Sequence, residues 1–256
     1  ITLYYFRLVH WMPELRGSMT RSFLKWAGGK HRVADELIDV IAKNKPYGIR
    51  WDVSTGQRYH EPMLGSGSMF FRLKSCGFIN TRKKAFLSDI NSIIISTMKV
   101  VSSKTCLADL IPMLRELQDK YPLDLPHPNP RNQDKKVREN RMFYKKRDRL
   151  NVLSKNIGSL TDSELVELAA IAIFLNKTCF NGLWRMNSNG DFNTPEGAYT
   201  FPNNICQENI LKECSDLFSS SVLDVKDWKK SLKKAKKGDL VYVDPPYMPI
   251  RIDNTT

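Results

Sequence analysis

The chain has 256 residues, 41% of them hydrophobic, enough for one large or two smaller folded domains, which excludes a disordered polyelectrolyte. Lys and Arg number 40 against 27 Asp and Glu, a net charge of +13 that favours a polyanionic partner, nucleic acid before anionic membrane. No run approaches the roughly 18 apolar residues of a membrane-spanning helix, which argues against a membrane protein. The five cysteines, Cys76, Cys106, Cys179, Cys206 and Cys214, contain no C-x-x-C pair, which argues against disulfides and a zinc site and for a reducing cytoplasm.

Residues 1–18 are set apart. Met19 resembles a natural start and Arg16-Gly17-Ser18 a tag remnant, so this stretch is read as a tag or an extension outside the fold. The turn-rich loop Trp26-Ala27-Gly28-Gly29-Lys30 precedes a predicted helix over 33–43, with Val33, Leu37, Ile38 and Ile41 at helical spacing. Tyr59 and His60 lead into Glu61-Pro62, a loop with Gly65 and Gly67, and a predicted helix over 68–75. Residues 85–88 predict a short buried strand ending at Asp89, so the first part has the alternation of an α/β nucleotide fold. Helices are predicted over 106–119 and 134–153, separated by the proline-rich stretch Tyr121–Pro130, which cannot continue a helix. Thr161 and Glu164 form a capping box for a helix that runs on through Leu175. The Gly- and Asn-rich region 176–204 reads as hairpin and loop, and Cys179 within it as a small buried hydrophobe. A lysine-rich helix over Asp227–Lys237 carries Lys229, Lys230, Lys233, Lys234, Lys236 and Lys237, readable as a solvated face or as a phosphate-tracking surface. Gly238-Asp239 stops it, and Leu240–Val243 is a predicted buried strand that delivers Asp244.

Open α/β sheets bind ligands beyond the carboxyl ends of their strands. Three segments leave such ends: Glu61–Gly67, Asp89–Asn91 and Asp244–Tyr247. Gly65 and Gly67 permit a tight turn and close backbone approach, and Asp89, 24 residues after Gly65, can accept from ribose hydroxyls or cap the following helix. Glu61 would set a carboxylate near a cationic ligand group, as in S-adenosylmethionine. Asp244-Pro245-Pro246-Tyr247 is the most specific signal. Two prolines fix the backbone and remove two N–H donors, leaving carbonyls to face an exocyclic amine, with an aromatic ring at hand to stack on its base. The Asp244 carboxylate and Pro245 carbonyl can accept the two amino hydrogens, so that the nitrogen lone pair points at a methyl donor. The target base must first leave the helix. A plain structural turn after a strand is the competing reading.

These residues resemble the Dam-type DNA adenine-N6 methyltransferases of the alpha arrangement (D12 class). Phe23–Lys30 resembles the family's N-terminal cofactor motif, Glu61–Ser68 its Gly-rich motif, Ser88–Asn91 its ribose-binding motif and Asp244–Tyr247 its catalytic motif, in the alpha order and over residues 20–250. The resemblance implies that Trp26, Lys30, Asp89 and Asp244 contact S-adenosylmethionine, with no metal. Within the long insert, Asn176–Arg185 and Gly190–Pro195 are similar to the hairpin that enters DNA: Phe180 and Asn181 as wedge, and Leu183, Arg185 and Pro195 on base edges. Arg reading guanine and an apolar side chain meeting a thymine methyl agree with groove chemistry. GATC is the implied target.

The expected architecture is therefore α/β: a Rossmann-like methyltransferase sheet with an inserted, mostly helical target-recognition domain carrying a β-hairpin. Residues 19–95 and 206–256 form the methyltransferase parts and 96–205 the recognition domain. The partner is double-stranded DNA, the working unit a monomer, and the compartment a bacterial, archaeal or phage-infected cytoplasm. Competing expectations are cytosine-N4 methylation, methylation of an RNA or protein amine, and a catalytically silent DNA-binding fragment. The family's sheet continues past its catalytic motif, so a polypeptide ending at Thr256 is expected to show an open sheet edge, low stability and little activity.

Overall fold

A computed structural model describes residues 20–26, 36, 58–77, 79, 84–121, 140–197 and 204–245. The expected helix over 33–43 (apart from Glu36), the start of that over 134–153, and Lys30, Pro246 and Tyr247 lie outside these residues.

Four parallel strands form one sheet in the order β3-β2-β1-β4: β1 is Tyr59–Glu61, β2 Ala85–Asp89, β3 Ser221–Val225 and β4 Leu240–Val241. Between β1 and β2 runs α1 (Ser68–Ser75). Between β2 and β3 come α2 (Ser92–Ser102), α3 (Lys104–Lys120), α4 (Met142–Ser154), α5 (Asp162–Thr178) and α6 (Glu208–Leu217). A short helix α7 (Trp228–Leu232) joins β3 to β4. Caps explain several boundaries. Asn91 accepts from the Ile94 N–H to open α2, and Ser103, extended at φ −88°, both ends α2 and caps α3 through the Cys106 N–H. The Thr161–Glu164 capping box opens α5 as the sequence predicts.

Alternation along the strands assigns two faces. Tyr59, Ala85 and Leu87 are buried, with Tyr59 stacked on Phe70 of α1 at 6.4 Å between ring centroids. On the other face His60 stacks on Phe86 at 4.9 Å, and Ser88 hydrogen-bonds Ser231 of α7 at 2.7 Å. Helices α1 and α7 therefore cover opposite faces, as right-handed crossovers running in opposite directions along the sheet require. Almost all of α5 from Val166 onward is buried, so this helix is apolar on every side and forms the hub against which α2, α3 and α4 pack. One continuous apolar cluster joins the sheet's α1 face to these helices, and the expected boundary after residue 95 falls within α2.

The lysine-rich helix predicted to reach Lys237 stops at Leu232. Asp239 accepts from the Lys236 N–H and Arg58 donates to the Lys234 carbonyl, so backbone groups that would extend the helix are engaged elsewhere. Burial alone would raise Asp239. Donors from Arg58, the Lys236 amide and His60 outweigh it and hold that carboxyl well below the usual range. The strand predicted over 240–243 is in register with β1 at Leu240 and Val241, with the Tyr242 N–H donating to the His60 carbonyl, and Val241 and Val243 are exposed rather than buried, β4 having a partner, β1, on one side only among the described residues. The arrangement is Rossmann-like: a parallel sheet with helices on both faces.

Candidate functional site

The connection leaving β1 runs toward β2, while β4 returns to the other flank of β1. Such a reversal opens a crevice beyond the strands' carboxyl ends, here over β1. Three acids lie at the carboxyl ends of adjacent strands: Asp89 as the last residue of β2, Glu61 as the last residue of β1 and Asp244 three residues beyond β4. Glu61 is 2% exposed and accepts from the Tyr59 hydroxyl at 2.7 Å. Burial, reinforced by the charges of Asp244 and Asp89, pushes its carboxyl up to about 8. A cation placed beside Glu61 and the two other acids would offset the cost of ionising it.

The loop after β1 is built on two left-handed glycines, Gly65 (φ 50°) and Gly67 (φ 71°), the latter serving as N-cap of α1. Asp89 splits its carboxylate between two loops, accepting from the Gly65 N–H through Oδ2 and from the Asn91 N–H through Oδ1, each at 2.9 Å. It is therefore not the helix cap, a role that Asn91 takes. Residues 22–26 roof the glycine loop. Ser22 donates to the Ser66 carbonyl at 2.7 Å, and the Trp26 indole lies so close that a Cβ at Gly65 would stand 2.7 Å from Trp26 Nε1. The structure thus brings Trp26, Glu61, Gly65, Gly67, Asp89, Asp244 and Pro245 to one end of the sheet, while Lys30, Pro246 and Tyr247 lie outside the described residues.

The region expected to be a hairpin is a reversal with little strand. After α5 comes a 3-10 turn, Phe180–Gly182; among the described residues the two limbs form no continuous ladder, only the isolated antiparallel bridges Cys179–Glu196 and Met186–Phe192, with further single hydrogen bonds such as Asn193 N–H to the Arg185 carbonyl. Its outward side carries Phe180 (49% exposed), Asn181, Leu183, Arg185 and Pro195, so Phe180 is not a core aromatic. Its inward side packs Trp184 on Phe192 at 4.7 Å. Asn193 accepts from Arg185 Nε at 2.8 Å and so preorients the guanidinium. Cys179 is fully buried, and burial pushes its thiol up to about 12, the reverse of a nucleophile.

Sequence reasoning missed the residues that hold this reversal in place. Asn151 of α4 donates to the Phe192 carbonyl and accepts from the Phe192 N–H. Arg141 grips Glu196 with two bonds, 2.7 and 2.9 Å, while the Tyr121 hydroxyl donates to the same carboxylate, all three buried. Asn176 pairs with the backbone of Lys25. Each joins segments far apart in sequence, and no local pattern announces such a partner. Ile90, the exposed neighbour of Asp89 at 77%, offers an apolar surface for a planar ring; its position after a strand-end acid is a signal that could have been read. The six lysines after Asp227 are exposed, and those from Lys233 onward lie by the amino ends of β1 and β4, away from the acids, which favours the solvated-face reading over phosphate tracking.

Among the described residues no helix is long and apolar enough to cross a membrane, and no three His, Cys, Asp or Glu side chains are grouped to hold a metal ion. Parallel sheet, glycine loop and strand-end acids are the elements of a Rossmann-like nucleotide-binding site. A family model for D12 class N6 adenine-specific DNA methyltransferases matches residues 26–255. The chain is 35% identical over 231 residues to a type II methyltransferase, M.MjaIII, of Methanocaldococcus jannaschii, covering 90% of this chain and 70% of that protein. It is 31% identical over 232 residues to the DNA adenine methylase of Serratia marcescens, covering 90% and 68%, and 28% identical over 230 residues to that of Escherichia coli K12, covering 90% and 66%. This protein belongs to the D12 class of N6 adenine-specific DNA methyltransferases.

Proposed function

We propose that this enzyme methylates N6 of an adenine within GATC in duplex DNA, acting as a monomer on a base rotated out of the helix, with S-adenosylmethionine as donor. The observation that carries this reading is the alignment of Asp89, Glu61 and Asp244 along one sheet end, within the same molecule as an outward-facing turn bearing Phe180 and Arg185. Residues 19–95 and 206–256 would hold the donor and perform the transfer, and 96–205 would recognise DNA. The five cysteines, none of them in a disulfide, fit a reducing cytoplasm.

The residues present fit the donor. The lack of a Cβ at Gly65 lets Trp26 pack directly on the loop as one wall of the site; Asp89 can accept from ribose hydroxyls; Ile90 can cover a purine; Glu61 and Asp244 would lie beside the donor's positive charge. Lys30 would add a contact from the N-terminal motif. When bound, S-adenosylmethionine supplies a sulfonium-activated methyl group. Asp244 and the Pro245 carbonyl accept the two hydrogens of the target amine and aim its lone pair, while Pro246 fixes the backbone and Tyr247 stacks on the base. No enzyme nucleophile is required, and the inert Cys179 supplies none. Phe180 and Asn181 fill the gap left by the rotated base, and Leu183, Arg185 and Pro195 contact base edges.

Incubation with tritiated S-adenosylmethionine and duplexes with or without GATC, followed by identification of the modified base, tests the reading. Label on N6-methyladenine in GATC duplexes alone is expected. Label on N4-methylcytosine would reject the adenine assignment, and duplex binding without label would mark a silent DNA-binding module.

A further inference from the structure

The proposed cofactor wall and the DNA-facing turn meet at one residue, Lys25. It precedes Trp26, whose indole lies against Gly65. On its other side it touches the turn region in three ways. Asn176, fully buried in the last turn of α5, accepts from the Lys25 N–H through Oδ1 and donates to the Lys25 carbonyl through Nδ2, both at 2.7 Å. Lys25 Nζ donates to the Lys177 carbonyl at 3.0 Å. Gly182 presses so closely on Lys25 that a Cβ there would lie 2.6 Å from Lys25 Cβ.

The arrangement is specific. A buried amide commits its carbonyl oxygen and its NH2 group to one backbone residue 151 positions away. The turn it faces is conformationally restricted, since Asn181 (φ 53°) and Gly182 (φ 63°) are successive left-handed residues, and for a non-glycine that region is uncommon unless the surroundings enforce it. Lys25 is the floor on which that turn rests. Moving the backbone of Lys25 would break both Asn176 bonds and open the contact with Gly182 together, so segment 25–26 and turn 180–182 move as one.

We propose that Asn176 is a positioning residue that makes Lys25 a joint between the two sites, so that filling the cofactor site tightens the grip of the turn on DNA and the reverse. The inference rests on the functional reading above. A ligand seated against Trp26 and Gly65 restrains the Trp26–Lys25 backbone, and the Asn176 amide and the Gly182 contact pass that restraint to Phe180 and Asn181. Linkage requires the two ligands to strengthen each other by the same factor.

The test is a closed binding cycle on the full chain, with S-adenosylhomocysteine as the unreactive cofactor probe and a fluorescent duplex holding one GATC site. In the parent protein, saturating S-adenosylhomocysteine should tighten duplex binding at least about 5-fold, with an equal gain in the reciprocal measurement. Asn176→Ala should bring that factor below about 2-fold while S-adenosylhomocysteine affinity without DNA stays within about 3-fold. Asn176→Asp, of equal size, keeps the bond from the Lys25 N–H but repels the Lys25 carbonyl, and should give the same loss should the alanine variant not fold. Gly182→Ala approaches the joint from the turn and should also uncouple. A parent factor near unity, or full coupling in the folded Asn176 variants, overturns the proposal. Failure of the parent to bind either probe instead overturns the functional reading on which it rests.

Discussion

Replacing Glu61 by Gln isolates the contribution of one buried proton. In the folded protein the carboxyl is held up to about 8 by burial, with Asp244 and Asp89 adding to the effect, against an ordinary 4.5. Below pH 4.5 the group is protonated whether the chain is folded or not, and it costs nothing. Between 4.5 and about 8 the unfolded chain releases the proton and the folded chain keeps it, so stability falls as pH rises, by about 1.4 kcal/mol per pH unit. The loss amounts to about 3 kcal/mol at pH 7 and levels off above pH 8 at about 5. Glutamine cannot ionise, and its carbonyl oxygen still accepts from the Tyr59 hydroxyl, so Glu61→Gln should be the more stable protein at pH 7.5 and nearly equal at pH 5. Urea unfolding of both proteins across pH 5–8 measures the difference, and curves that run parallel over that range would refute the reasoning. The same logic gives binding a proton signature. A cation placed among Glu61, Asp89 and Asp244 favours the ionised carboxyl, so S-adenosylmethionine binding at pH 7 should release a proton, seen as a buffer-dependent heat in calorimetry and absent in the variant.

Three further outcomes follow from the geometry. Arg141→Met strands the Glu196 carboxylate in a buried setting with Tyr121, and should cost about 3–5 kcal/mol in urea unfolding, much of it recovered when Glu196→Leu is added. Asp244→Ala should abolish methyl transfer in a single-turnover assay while duplex affinity stays within a few-fold. Arg185→Ala should relax discrimination at one base pair by about 1–3 kcal/mol, read from methylation rates on duplexes altered one position at a time; unchanged discrimination would remove Arg185 from base reading.

Asp89 and Asp244 were legible because each follows a short apolar run, and Glu61 because Pro62 and the glycine loop follow it at once. Asp89 was open to a capping role, and the structure gives that role to Asn91 and spreads Asp89 over two loops instead. The extent of the lysine-rich helix was misjudged for a related reason. Its composition is helical, but Arg58 and Asp239, 181 residues apart in sequence, divert the backbone groups that would extend it. The reversal over 176–197 was legible in content and not in form. Asn and Gly content announces a reversal, whereas the shape of that reversal is dictated by Asn151, Glu196 and Asn176, whose partners are distant in sequence. Local pattern carries local structure, and tertiary amide pairings leave no periodic trace.

Cys179 gives the molecule a concealed clock. Its sulfur lies beneath the turn at 180–182, within hydrogen-bonding reach of the Asn176 and Leu183 carbonyls, and it is fully buried. A thiol held at about 12 and shut away from solvent reacts with an alkylating reagent only in the instants when the turn lifts. Its alkylation rate therefore counts openings of the turn at 180–182 in the native protein, with no residue of that turn altered.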